Sequence, residues 1–172
     1  MLKLAGVCFI LAGCVGWGGN RIMEEQNRIR HLRELIRIIK RIQDEIAYGK
    51  HTLPEICLTL SECGNAEYRP YFRQIYEKMN CGDGTVFETV WEQQMGLCLQ
   101  NTPLTKEEKG VLINMPKDMG MQEEKLQAVR IGQSVDLLVR KCRQAEDTYE
   151  NKSKMIFSVS VLTGIFLAIL LL

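Results

Sequence analysis

The chain has 172 residues, of which 46% are hydrophobic and 25% charged, with a formal net charge of +1. That length fits one domain, and near-neutrality gives no reason to expect a nucleic-acid partner. Charge is nevertheless unevenly placed: two uncharged runs, Leu4 to Gly19 and Met155 to Leu172, bracket a polar body that holds almost every Lys, Arg, Asp and Glu.

The first run, LAGVCFILAGCVGWGG, leaves three readings open. Extended by its flanks, it is a membrane helix. With Lys3 as the only leader charge, it is a cleaved secretory signal. Leu11-Ala12-Gly13-Cys14 also has the local form of a lipidation box, although the apolar stretch ahead of it is short. The last run is 18 residues long, the short end of what spans a bilayer. Its Ser158, Ser160 and Thr163 can return their hydroxyls to the helix backbone. The competing reading, a buried helix of a soluble protein, lacks a polar face after Met155. Arg21 to Arg41 follow the first run and Arg140 to Lys154 precede the last, both rich in basic residues. The positive-inside rule then expects a cytoplasmic body with both termini outside.

Seven cysteines are scattered irregularly, with no C-x-x-C pair. That pattern suits a reducing compartment better than an exported disulfide scaffold.

Within the body, Ile22, Ile29, Leu32, Ile36, Ile39, Ile42 and Ile46 recur at mostly three- and four-residue steps, which predicts one helix from Arg21 to Tyr48. Gly49 fits its stop. Thr52-Leu53-Pro54-Glu55 reads as a capping box with proline in the first turn, opening a short helix to Cys63-Gly64. A third helix is expected from Glu67 to Met79, with Tyr68, Phe72, Ile75, Tyr76 and Met79 as its stripe. Cys81-Gly82-Asp83-Gly84 is a turn. Thr85 to Glu88 starts a fourth helix toward Leu99, with Val86, Val90, Trp91, Met95 and Cys98 on one side. Thr105-Lys106-Glu107-Glu108 starts a fifth, bounded by Pro116 and Gly120. From Gln122 a last helix can run unbroken to the C-terminal apolar run, its face carrying Leu126, Val129, Leu138, Cys142, Ala145 and Tyr149. No stretch alternates long enough for a sheet, so the body is expected to be an all-helical bundle.

Chemistry-bearing residues are sparse. His31, His51, Cys57 and Cys63 are all ligand types for zinc, but their spacing matches no compact ligand pattern. Cys81 is the most exposed-looking nucleophile candidate, with Asp83 nearby and no histidine close in sequence. Gly82-Asp83-Gly84 lacks the ending of a phosphate loop. The pairs Glu107-Glu108 and Glu123-Glu124 sit in first turns, where acids are favourable. Asp44-Glu45 sits near a helix C-terminus, where the dipole disfavours acids. Either Arg41 and its neighbours compensate, or the pair meets a partner.

These pieces, taken in order, resemble the stage III sporulation protein AB family. The resemblance covers the whole chain. Its strongest parts are Glu45-Ile46-x-Tyr48-Gly49 followed by Leu53-Pro54, and Leu104-Thr105 through Gly120 to Gln127, with Trp91 inside the fourth helix. Where the family favours leucine-glycine followed by aspartate, this chain has Met119-Gly120 and then Glu123, and Lys125 and Leu126 precede Gln127.

The resemblance implies a body similar to the type II secretion system F domain. The expected fold is therefore all-α: about six helices in a cytoplasmic bundle over residues 21–154, flanked by transmembrane helices at 1–20 and 155–172. It implies a non-enzymatic membrane component of a sporulation channel, a secretion-like complex between mother cell and forespore. The expected location is multi-pass in the cell membrane, specifically the mother-cell membrane around the forespore. Expected partners are other stage III sporulation channel proteins, including a secretion-type ATPase, together with the lipid bilayer and a second copy of the chain. No catalytic, cofactor-binding or metal-binding residues are expected. The partner surface is placed at Asp44, Glu45, Tyr48, Pro54 and Trp91, although Trp91 reads first as simple core. Two other readings stand beside this one: a membrane-tethered cysteine-based enzyme or metal sensor, and a general secretion platform unrelated to sporulation.

Overall fold

The computed structural model describes residues 2–48, 51–82, 84–118 and 124–171, with the side chains of most of the two terminal runs outside that description. The described elements are α1 (Leu2–Tyr48), α2 (Leu53–Cys63), α3 (Arg69–Asn80), α4 (Phe87–Gln100), α5 (Lys106–Asn114), a short 3-10 turn (Met115–Asp118) and α6 (Glu124–Leu171). The all-α, six-helix expectation holds among the described residues.

Residues 30–142 form one compact unit. Its core follows the apolar periodicity. On α1, Leu32, Ile36, Ile39, Ile42 and Ile46 are buried as expected, and Leu35 and Ile38 widen the stripe. Each such side chain contributes roughly 1.5–3 kcal/mol by leaving water. In this unit α2 packs on α3, α3 on α4, and α4 on α5. Phe72, Trp91 and Phe87 stack through the middle of these helices, with ring centroids 6.1 and 5.7 Å apart along the series. Tilted pairs of this kind add to plain area burial. α6 passes beside α1 at Gly132, where a Cβ would sit 3.0 Å from the flexible end of Gln43.

Local signals set the boundaries. Glu55 closes the capping box of α2, accepting from the Thr52 N–H at 2.7 Å and from its hydroxyl at 3.0 Å. Glu108 does the same for α5, accepting from the Thr105 N–H at 2.8 Å. The turn after α3 has left-handed backbone at Gly82 and Gly84, with φ of 71° and 74°, a region only glycine enters freely. Two boundaries differ from expectation. The third helix starts at Arg69 rather than Glu67, and α4 is capped at Val86, which is exposed instead of joining the stripe. Val129 is likewise exposed rather than on the apolar face of the last helix.

Residues 1–29 and 143–172 form a second unit. Within it the Gln26 side-chain amide donates to the Tyr149 hydroxyl. Glu25 takes Arg28 at 3.2 Å and Lys152 at 3.5 Å. Met155, Val159, Leu162 and Phe166 recur at helical spacing in α6 and are exposed.

The expectation of flanking transmembrane helices, and with it a multi-pass position in the cell membrane, is corrected. Among the described residues no helix is long and apolar enough to cross a membrane. Charge is the physical reason. From Glu24 to Glu45 an ionisable side chain recurs at least every third residue of α1, and between Arg140 and Lys154 α6 is nearly as dense. Ion by ion, such stretches are too costly for hydrocarbon. Most side chains of the two apolar runs, with Cys14 of the lipidation box among them, lie outside the described residues.

Candidate partner-contact surface

Where α1 ends and α2 begins, four of the five proposed contact residues come to the surface. Ile42 and Ile46 anchor the last turns of α1 in the core. The helix period therefore turns Asp44 and Tyr48 outward. Tyr48 is 76% exposed, the most exposed of the large apolar side chains described. Asp44 is exposed, while Glu45 and Pro54 are half-buried.

His51 is the residue that sequence reasoning left out of this surface. Its Nε2 lies 4.0 Å from Glu45 Oε2 and its Nδ1 lies 4.0 Å from Glu55 Oε2. The i, i+4 spacing of His51 and Glu55 was a visible signal for half of this arrangement. Glu55 is held below its ordinary carboxylate range, first by the Thr52 backbone N–H and then by the Thr52 hydroxyl. The corner thus presents three carboxylates, one imidazole and an exposed aromatic ring. It can accept hydrogen bonds from Arg or Lys and offer a ring face to a cation. His51 also answers part of the question posed by acids at a helix C-terminus: Glu45 has a basic neighbour from beyond the helix.

Trp91 does not belong to this surface. It is fully buried, and its Nε1–H donates to the Leu112 carbonyl at 3.0 Å. It belongs to the core, as a bulky ring with a satisfied polar handle.

The metal-ligand candidates are not brought together. His31 is buried against Tyr68, whereas His51 faces Glu45 and Glu55. Cys57 is buried and Cys63 is exposed. Among the described residues there is no group of three or more His, Cys, Asp or Glu able to hold a metal ion. Burial pushes the Cys57 and Cys98 thiols up to about 12, the opposite of what a thiolate nucleophile needs. Cys81 is exposed, and its proposed helper Asp83 lies outside the described residues. The turn at Met119, Gly120 and Glu123, where this sequence departs from the family pattern, lies outside them as well. One polar atom in the core, Gln94 Oε1, has no hydrogen-bond partner among the described residues.

Three comparisons with known proteins agree. The family model described as stage III sporulation protein AB matches residues 3–172. A relative from Bacillus subtilis (strain 168), "Stage III sporulation protein AB", is 25% identical over 172 residues and is matched over 100% of both chains. A solved structure titled "Stage III sporulation protein AB (SpoIIIAB)" superposes with a TM-score of 0.65 at 21% identity, covering 72% of this chain and 97% of that one. At that identity the structural match speaks for the fold.

Proposed function

The chain belongs to the stage III sporulation protein AB family, and from that premise we propose that it is a contact component of a sporulation complex, docking a secretion-type ATPase at the corner between α1 and α2. Family membership makes it a sporulation-related protein that is not an enzyme. It also supports association with other stage III sporulation proteins. The ATPase contact is the finer step. It draws on the resemblance of the body to secretion F domains, which serve as platforms.

One observation carries the choice of surface. The corner combines an exposed Tyr48 with the carboxylates of Asp44, Glu45 and Glu55, beside a helix end anchored in the core by Ile42 and Ile46. Aromatic anchors beside charged groups on rigid elements are what partner surfaces use. The fitting partner face is basic.

The test is Glu45→Arg in the full chain, with capture of the ATPase component from extracts of sporulating cells. Loss of capture at unchanged thermal stability is expected. Unchanged capture by a folded variant would sink the contact. Tyr48→Ala is the companion, expected to weaken capture without disturbing the core.

A further inference from the structure

We propose that His31, Tyr68 and Glu67 form a proton-sensitive latch that fastens α1 to the turn opening α3, and that protonating the imidazole releases it. The inference is independent of the ATPase-docking corner and uses none of its residues.

The geometry is that of a buried polar clasp. His31 is 6% exposed in the middle of α1, and Tyr68 is 2% exposed at the N-cap of α3. His31 Nδ1 lies 2.7 Å from the Tyr68 hydroxyl, and the rings meet edge to face at 82°. The other nitrogen, Nε2, lies 3.7 Å from Glu67 Oε1, whose side chain is half exposed. These contacts tie α1 to the turn over residues 65–69. That turn is itself held by Asn65, whose carbonyl accepts from Tyr68 and Arg69 N–H at 3.0 and 3.2 Å.

Proton bookkeeping gives the clasp its direction. Burial holds His31 below 6.5, the attraction of Glu67 opposes this more weakly, and Arg30 assists burial. The imidazole is therefore neutral at neutral pH. Burial also pushes Tyr68 upward, with Glu67, Cys98 and Glu34 in support and Arg30 opposing. Tyr68 is thus a phenol throughout the working range. The charged and titratable groups around the pair are Arg30 and Glu34 on α1, Glu67 in the turn and Cys98 on α4. With a neutral ring, the Tyr68 O–H donates to Nδ1 and Nε2–H faces Glu67. When a solvent proton binds Nδ1, both ring nitrogens become donors. The phenol oxygen must then accept, and its own hydrogen loses its acceptor inside the core. An unmet buried donor and a buried imidazolium both carry a penalty. Of the two carboxylates named, the Glu67 side chain is half exposed and that of Glu34 is mostly buried.

The sign follows from the lowered value. The contribution of the clasp is complete above pH 6.5, the ordinary histidine value, and is lost as pH falls toward the folded value.

The experiment follows imidazole nitrogen shifts and amide hydrogen exchange by NMR on the full chain between pH 7.5 and 5. Four results are expected. Exchange at the Tyr68, Arg69, Tyr71 and Phe72 amides, corrected for intrinsic pH dependence, rises about tenfold on acidification, the size expected of one buried donor left unmet. It rises in step with protonation of His31. Glu67→Gln, a surface change, shifts both events together to lower pH. His31→Gln keeps an acceptor for the Tyr68 hydroxyl and makes exchange at this turn independent of pH. Equal corrected exchange at both pH values in the wild-type chain overturns the latch. So does an acid response that survives in His31→Gln, or one that Glu67→Gln leaves in place.

Discussion

At the scale of single residues, stability rests on a few polar groups that must find partners inside an apolar bundle. Trp91 is the clearest case. Its ring fills the space between Phe72 and Phe87, and its N–H meets the Leu112 carbonyl. Trp91→Phe removes the donor of a buried hydrogen bond, so a loss of about 1 kcal/mol is expected in urea unfolding. Thr105 is the capping counterpart, accepting from the Glu108 N–H at 3.3 Å. Thr105→Ala should cost about 1 kcal/mol by the same assay. The matching box at α2 adds a pH dependence. Glu55 is held below 4.5 by its hydrogen bonds to Thr52, so its contribution is complete above that pH and is lost as pH falls through the lowered value. Acid titration of the α2 amides by NMR should show this, and Thr52→Ala should abolish only the part due to the hydroxyl.

At the scale of elements, the ends of helices are as constrained as their faces. Gly64 closes α2, with its N–H donating to the Leu60 carbonyl at 2.9 Å. A Cβ at Gly64 would lie 2.3 Å from that same oxygen. Gly64→Ala therefore has to displace backbone and should lower stability by roughly 1–3 kcal/mol in thermal unfolding, as overpacking does. Cys63-Gly64 was legible as a stop in the sequence, as were both capping boxes and the Ile29 to Ile46 stripe, because each is a local signal read over one or two turns. Other features needed the fold. His31 looked like a stray histidine because its partner Tyr68 is 37 residues away. Glu108 looked like a solvated first-turn acid, yet it is fully buried. Val86 and Val129 looked like core residues because hydropathy does not say which flank of a stripe a neighbouring helix covers. The corner surface was half legible. Tyr48 and Asp44 follow from the period of α1, while His51 joins Glu45 only once α2 has folded back. The reading of the terminal runs as membrane spans rested on their composition, but α1 and α6 carry dense charge over much of their length, and among the described residues no helix is long and apolar enough to cross a membrane.

At the scale of the whole molecule, the burial that raises the Cys57 and Cys98 thiols runs against either of them serving as a nucleophile. Combined Cys57→Ala, Cys63→Ser and Cys81→Ser substitution should leave heat-resistant spore counts within about threefold of wild type in a complemented strain, provided the protein level is maintained, a change of under 1 kcal/mol in any single step. A collapse of spore formation with normal protein level would reopen the thiol reading. Gln26 meets Tyr149 across 123 residues of sequence, and Glu25 meets Lys152 across 127. Closures that long are slow compared with helix formation. During synthesis the first partner of each pair leaves the ribosome long before the second, so the segment between them has time to fold as a domain first. These two contacts are then late stitches of biosynthesis, and a ribosome stalled short of Tyr149 would carry a chain in which neither has formed.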